Sequence, residues 1–498
     1  MEGMRLRELT ELLVTARLIG DGDTEFTGIT RDSRLVAEGD LFICIPGHKA
    51  DGHSYAEAAV HCGAAALVAE RPLPLDIPQL IVKDARGAAA VIASHINGYP
   101  SNSVRLIGVT GTNGKTTTTY LVETILNDSG KSAGVIGTIE RRFGGRSYPM
   151  EGTTPDSHEL QRYLGEMRES GVQYCAMEVS SHALDQGRVK GCRFRTAIFT
   201  NLTQDHLDYH GTMDKYADAK GLFFSRLGNV YEARQEERSF AVLNADDEAS
   251  ERFRKMTAAE VVTYGIENPA DVRASDVRIT SRGTSFRVST FRGEAKIELR
   301  LRGKFNVYNA LAAIAATLLE GVPLAAIAES LSAIPGVPGR VESVEEGQHY
   351  AVIVDYAHTP DGLQNVLQAT REFAEGRIIC VFGCGGDRDR AKRPMMGRIA
   401  SELANYMIVT SDNPRTEDPL AIIDDIMEGV IAAGSDGDRY AVIPDRKRAI
   451  EKAVEMASQG DVVLIAGKGH ETYQLIGGEV HDFDDRLTAK DAIRRFLH

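Results

Sequence analysis

The sequence predicts an α/β fold in three domains, the two larger ones built on mostly parallel sheets. Three observations carry this. A chain of 498 residues has a prior of about three domains and can bury several cores. Apolar runs such as Leu106 to Thr110, Tyr174 to Val179 and Ile378 to Phe382 read as strands buried on both faces. Two links, Tyr99-Pro-Ser-Asn-Ser103 and Ile334-Pro-Gly-Val-Pro-Gly339, are rich in turn formers and divide the chain into 1–103, 104–336 and 337–498.

The first segment holds short β-rich runs, Leu41 to Ile45, Ala66 to Ala69 and Leu80 to Val82, with an Ala-rich helix near residues 55–62, and reads as a small α/β domain. The second alternates apolar runs with helices, adding Thr196 to Thr200 and Phe240 to Leu243, and then alternates in the antiparallel manner over 271–301. The third carries Val352 to Val354, Ile378 to Phe382, Met407 to Thr410 and Val462 to Ala466, each closed by a polar or Gly-rich loop, the pattern of a doubly wound sheet.

Composition narrows the function classes. Hydrophobic residues at 43% and charged residues at 26% are ordinary for a soluble globular protein. A net charge of −14 and a pI near 5.5 argue against a nucleic-acid surface, which needs clustered Lys and Arg. Met1 to Leu13 is charged and helical in pattern, unlike a signal peptide, and the apolar run Ala310 to Leu319 is too short to span a bilayer. Six cysteines, Cys44, Cys62, Cys175, Cys192, Cys380 and Cys384, contain no CxxC pair and read as reduced core thiols of a cytosolic protein.

The strongest local motif is Val109-Thr-Gly-Thr-Asn-Gly-Lys-Thr116, which follows a strand and opens a helix over 116–126. Backbone N–H groups of such a loop suit phosphate, Lys115 adds charge, and the Thr116 hydroxyl can ligate Mg²⁺. It departs from GxxxxGK[ST] in having Val109 at the first glycine position. Glu178 and His206 each sit at or just beyond the end of a strand, the edge where ligands of parallel sheets gather. Taken singly they read as a cap and a loop histidine. Ser411-Asp-Asn-Pro-Arg-Thr-Glu-Asp-Pro419 reads first as a turn, because Asn-Pro starts turns. A guanidinium on a stiff turn at a strand's carboxyl end is also a fork suited to a carboxylate.

Together, Thr110-Gly-Thr-Asn-Gly-Lys-Thr-Thr117, Glu178-Val-Ser-Ser-His182, Asn201-Leu-Thr-Gln-Asp-His-Leu-Asp208, Lys304-Phe-Asn-Val-Tyr-Asn309, Pro335-Gly-Val-Pro-Gly-Arg340 and Asp355-Tyr-Ala-His358 resemble the Mur ligases, which add amino acids to the peptidoglycan precursor with ATP. The resemblance runs from Asp32-Ser-Arg34 to Gly467-Lys-Gly-His-Glu471. It implies an N-terminal UDP-binding domain, a central P-loop ATPase domain and a C-terminal domain that closes over the amino acid.

By that resemblance Gly111, Thr112, Asn113, Gly114, Lys115, Thr116, Thr117, Asn306, Arg340 and Asp355 serve ATP. Ser33, His48, Lys49 and Ala50 meet the uridine end of UDP-N-acetylmuramoyl-L-alanyl-D-glutamate, and Thr153, Thr154, Ser180, Gln186 and Arg188 hold its muramoyl dipeptide. Thr116, Glu178, His206 and Lys220 surround Mg²⁺, with Lys220 carbamylated to an anionic N6-carboxylysine; on the sequence alone Lys220 is a surface lysine on a helix. Arg388, Asp412, Asn413, Pro414, Arg415, Gly467 and Glu471 bind the amino acid. The Asp412-to-Arg415 motif resembles that of members selecting meso-diaminopimelate, a cytoplasmic reaction expected of a monomer.

Rival readings are the same ligation with L-lysine, a folylpolyglutamate synthetase, and a P-loop switch or small-molecule kinase. Motifs in all three segments count against the switch. Asp32-Ser-Arg34 and Gly47-His48 point to a UDP-sugar and away from folate.

Overall fold

A computed structural model describes residues 3–47, 50–150, 152–228, 237–280 and 283–496. His48 and Lys49 lie outside the described residues. The chain divides into two compact units, one of residues 1–108 with 132–195, the other of residues 109–131 with 196–498.

The first unit begins with a five-stranded sheet in the order Arg17–Ile19, Gln79–Ile81, Ala66–Ala69, Asp40–Ile43, Gly28–Thr30. Its first pair is antiparallel and the rest parallel. Successive side chains of a strand face opposite ways. Accordingly Leu41 and Ile43 pack with Leu9 and the helix Ala85–Ile96, while Phe42, Leu67 and Ala69 pack with the helix Ala56–His61. The unit also contains the parallel pair Ala133–Ile136 and Tyr174–Glu178, flanked by the hairpin Glu140–Phe143 and Arg146–Pro149.

The second unit carries the parallel strands Phe194–Phe199, Phe240–Asn244, Glu260–Gly265 and Val272–Thr280, then antiparallel Gly283–Thr290 and Gly293–Leu299. The antiparallel stretch anticipated over 271–301 is present as three paired strands. Ala310 to Leu319 forms most of the buried helix Lys304–Leu319.

Its other sheet runs Glu342–Ser343, Ala351–Asp355, Val462–Ala466, Ile378–Phe382, Tyr406–Val409, Tyr440–Val442, parallel after the first pair. Ile353, Cys380, Phe382, Met407 and Leu464 pack under helices bearing Leu363, Met396 and Ile422. The alternate residues Val352, Val354, Ile379, Val381 and Ile465 pack under helices bearing Ile450 and Ile493. Helices therefore cover both faces, which is what the doubly wound reading requires.

One expectation is corrected. Cys44, Cys175, Cys380 and Cys384 are buried, but Cys62 is exposed and Cys192 half-buried, so not all six thiols belong to cores. Cys62 directly follows the helix Ala56–His61, where the chain turns away from the core. No disulfide joins any of the six.

Candidate active site

The strand Arg105–Thr110 ends in a loop whose shape two glycines permit. At Gly111 (φ +150°) a Cβ would stand 1.8 Å from Thr200 Oγ1, and at Gly114 (φ +86°) it would stand 2.3 Å from Asn309 Oδ1. Any larger residue collides with a neighbour, and each φ is one that glycine tolerates best. The loop is further tied down by Asn201, whose Oδ1 accepts from Asn113 N–H at 2.9 Å and whose carbonyl accepts from Thr112 N–H at 2.8 Å. Gly114 then opens the helix Lys115–Asp128, leaving its first N–H groups at the loop, with Thr116 and Thr117 buried in the first turn.

Two lysines converge on one carbonyl. Lys115 Nζ donates to Gly111 O at 2.9 Å and to Thr112 O at 2.8 Å, and Lys220 Nζ donates to the same Gly111 O at 2.9 Å. Lys220 is no surface residue: it is 1% exposed, on the inner face of the helix Met213–Ser225, over the Tyr216 ring. Burial, and then the Lys115 charge, pull its ammonium well below the usual lysine range, against the opposing pull of Asp205. That favours the neutral, nucleophilic amine.

His206 adopts a left-handed backbone (φ +54°) at the start of the helix Leu207–His210, with Nε2 3.3 Å from Asp205. Burial alone would raise the Asp205 carboxyl, but His206, His358 and Lys392 outweigh it and hold it below the ordinary range. Arg340 donates to Thr116 Oγ1 at 2.9 Å and lies over the Tyr356 ring at 4.4 Å. Asp355 is buried beside it, accepting from Val341 N–H at 2.7 Å and Ala357 N–H at 2.8 Å. Asn306, also buried, donates to Arg302 O and accepts from Asn309. The structure thus places Gly111 to Thr117, Lys220 and Arg340 around one loop. Sequence reasoning missed Asp361, which accepts from Asn113 Nδ2 in that loop. Its partner lies 248 positions away in the chain, and no local pattern marks it.

In the first unit, Glu178 ends the strand Tyr174–Glu178, is 1% exposed, and accepts from Thr138 N–H at 2.8 Å and Thr138 Oγ1 at 3.0 Å. Thr154 Oγ1 donates to Glu178 O at 2.9 Å and accepts from Ser180 N–H at 3.1 Å. Arg188 donates to Thr154 O at 2.9 Å and to Gln186 Oε1 at 3.0 and 2.8 Å. Asp156 pairs with Arg188 at 3.2 Å and also with Arg31. Thr153, Thr154, Ser180, Gln186 and Arg188 therefore share one hydrogen-bonded cluster, Thr153 joining through Thr138 Oγ1 at 3.1 Å. Ser33 is half-buried and Ala50 exposed, and among the described residues no hydrogen bond joins either to that cluster.

The motif 412–415 lies just beyond the carboxyl end of the strand Tyr406–Val409. Asp412 and Asn413 are buried, and Arg415 is held at φ +54°, its N–H donating to Leu475 O at 3.0 Å and its Nη1 to Gly386 O at 2.7 Å. A Cβ on Gly385 would stand 2.9 Å from Arg415 Nη1 and 3.8 Å from Arg388 Cγ, so the two arginines flank one glycine. Burial, then the Arg415 charge, push the Arg388 guanidinium below its usual range. No carboxylate lies within ion-pair distance of either among the described residues. Gly467 (φ +123°) must be glycine, since a Cβ there would meet Asp412 Oδ2 at 2.4 Å. Glu471 Oε2 accepts from Asn413 Nδ2 at 2.8 Å and from Lys468 Nζ at 2.9 Å. Lys468 is a second group the sequence reading passed over, although it stands inside a quoted motif.

These features define the class as an ATP-binding P-loop α/β enzyme, with two arginines gathered at the edge of a second parallel sheet. The chain belongs to the Mur ligase family: residues 25–105 match the Mur ligase family catalytic domain, 109–317 the Mur ligase middle domain and 339–469 the Mur ligase glutamate ligase domain. It is 51% identical over 491 residues to the "UDP-N-acetylmuramoyl-L-alanyl-D-glutamate--2,6-diaminopimelate ligase" of Halalkalibacterium halodurans, covering 99% of each chain. It is 52% identical over 473 residues to the protein of that name from Geobacillus kaustophilus, covering 95% of this chain and 96% of the other. A solved structure of a ligase with that name superposes with a TM-score of 0.69 at 34% identity, covering 100% of both chains. Among the described residues no helix is long and apolar enough to cross a membrane.

Proposed function

We infer that this chain is an ATP-dependent ligase that joins meso-diaminopimelate to the D-glutamate carboxylate of UDP-N-acetylmuramoyl-L-alanyl-D-glutamate, releasing ADP and phosphate. The observation that carries the amino-acid assignment is the pair Arg388 and Arg415, two arginines flanking Gly385 with the Arg415 charge felt at Arg388 and no carboxylate within ion-pair distance of either among the described residues. Such a pair calls for an anion, and diaminopimelate offers a carboxylate at each end where L-lysine has one.

The chemistry is two displacements. A carboxylate oxygen of the D-glutamate attacks the γ-phosphorus of ATP, the bond to the ADP oxygen breaks, and an acyl phosphate forms. Two anions approach each other in that step, so its barrier is largely electrostatic, and Lys115 and Arg340 are the fixed cations assigned to lower it. The neutral amine of the amino acid then attacks the acyl carbon, the carbon–oxygen bond to phosphate breaks, and the nitrogen loses a proton.

Mg²⁺ would be held by Thr116, Glu178, His206 and Lys220, and when bound it would neutralise phosphate charge. Among the described residues no group of three or more His, Cys, Asp or Glu could hold a metal alone. That donor set suits Mg²⁺, which keeps several waters and takes substrate phosphate oxygens. Lys220 fits carbamylation because burial, and then the Lys115 charge, disfavour its ammonium form; the added carboxylate would set an anion beside the Lys115 ammonium at Gly111 O.

In this reading residues 1–103 hold UDP through Ser33, His48, Lys49 and Ala50, residues 104–336 bind ATP and the muramoyl dipeptide, and residues 337–498 bind the amino acid. The enzyme acts as a cytoplasmic monomer. The test is mass spectrometry of the product formed from ATP, the UDP-dipeptide and a mixture of amino acids. A product heavier by one diaminopimelate residue is expected, with ADP release requiring both acceptor and amino acid. A lysine adduct, or steady ADP release without amino acid, overturns the assignment.

A further inference from the structure

Lys468 is a fully buried lysine with a built environment and no role so far. Burying an ammonium costs several kcal/mol unless it is paired and hydrogen-bonded. Its Nζ lies 3.0 Å from Asn413 Oδ1 and 2.9 Å from Glu471 Oε2, and 5.4 Å from the centre of the Tyr473 ring. The loop returns on itself to make this possible: Glu471 N–H donates to Lys468 O at 2.9 Å, across Gly469 at φ +53°.

The orientation of the Asn413 amide follows from chemistry alone. Lys468 Nζ and the Leu475 N–H, 3.0 Å away, can only donate, so the atom both reach is the amide oxygen. The amide nitrogen is thereby turned to Glu471 Oε2, at 2.8 Å. Glu471 Oε2 thus takes two donors, while no hydrogen bond to Oε1 occurs among the described residues. The Glu471 side chain remains 15% exposed, so the carboxylate keeps an open side.

We propose that Lys468 is a positioning residue for the amino-acid substrate: by locking the Asn413 amide and Glu471 Oε2 together, it reserves Glu471 Oε1 for an ammonium of diaminopimelate. The inference rests on the assignment of the amino acid to this pocket. Without Lys468 the amide loses one of the two donors that fix its direction, and the carboxylate loses its counter-charge. Glu471 then meets the substrate from the wrong rotamer. The effect falls on amino-acid binding, because among the described residues Lys468 Nζ bonds to Asn413 and Glu471 and to no residue of the phosphate loop.

The experiment compares wild type, Lys468→Met and Lys468→Arg in steady-state kinetics, varying diaminopimelate, ATP and the UDP-dipeptide in turn, with melting temperatures alongside. Methionine keeps the length and removes the charge. The expected result is a KM for diaminopimelate raised about tenfold or more in Lys468→Met, with the KM of ATP and of the UDP-dipeptide within about twofold. Arginine keeps the charge in place, and its planar fork cannot set one nitrogen on both acceptors. It is expected to recover part of the loss, leaving that KM about threefold high. Equal changes in all three KM values, or an unchanged diaminopimelate KM in the arginine variant, overturn the proposal, and the arginine arm decides even where the methionine chain does not fold. Wild type that consumes no diaminopimelate is a separate result, and it overturns the pocket assignment itself.

Discussion

Replacing Arg415 by alanine isolates the selectivity of the pocket. Alanine has the same Cβ as arginine, so the backbone strain at φ +54° is unchanged and the fold keeps its stability to within about 1 kcal/mol. What is lost is a guanidinium. Truncating one partner of a desolvated charge pair costs about 2 to 5 kcal/mol. Arg415 already gives Nη1 to Gly386 O, and the residue is only half-buried, so the lower part of that range applies. A loss of about 2 to 3.5 kcal/mol is roughly thirty- to three-hundred-fold in kcat/KM, at about 1.4 kcal/mol per decade. The assay is kcat/KM for meso-diaminopimelate and L-lysine in both enzymes. Diaminopimelate should fall by that factor and L-lysine should barely move, so that the preference collapses. Wild type that accepts L-lysine as readily, or Arg415→Ala that keeps its preference, refutes the reasoning and returns Arg415 to a charge on a turn.

Three further outcomes are expected. Lys115→Ala should abolish ligation while its circular dichroism and melting stay close to those of wild type, because the side chain donates to its own loop's carbonyls Gly111 O and Thr112 O and the loss falls on phosphate charge. Lys220→Ala should be inactive and partly rescued by acetate, and intact-mass measurement at high bicarbonate should show the carbamate on wild type but not on the variant; full activity of the alanine variant sinks the carbamate. Burial, then Lys392, pull His358 down to about 4 from 6.5, so between those values the unfolded chain takes a proton that the folded one refuses. Stability should therefore fall as pH drops from about 6.5 to about 4, with on the order of 3 kcal/mol traceable to this group, and denaturant melts of His358→Gln should show that much less loss.

The parallel strands were legible because burial on both faces leaves an unbroken apolar run. Phe240 to Leu243 is realised as Phe240–Asn244, and Ile378 to Phe382 falls on its expected bounds. The strand Ala133–Ile136 was missed: its Ala-Gly start carries little β signal, and its place comes from pairing with Tyr174–Glu178. The helix Ala85–Ile96 was missed too, an Ala-rich segment whose face is fixed by the sheet it covers. In the site, motif residues were readable as chemistry, since Lys115 and Thr116 follow a strand and open a helix. The burial of Lys220 was not, because a helix does not say which face meets the loop. Nor was the contact of Asp361 with Asn113, which only tertiary folding creates.

The left-handed backbone at Arg415 has an evolutionary consequence. Glycine or asparagine would occupy φ +54° more comfortably, by on the order of 1 kcal/mol. Mutational drift under selection for stability alone would therefore erode the arginine, and the first neutral steps away from it would yield a sturdier and less discriminating enzyme. On the proposed reading, its presence here means the discrimination is maintained against a standing gradient. A laboratory selection for thermal robustness run without diaminopimelate should find this position early.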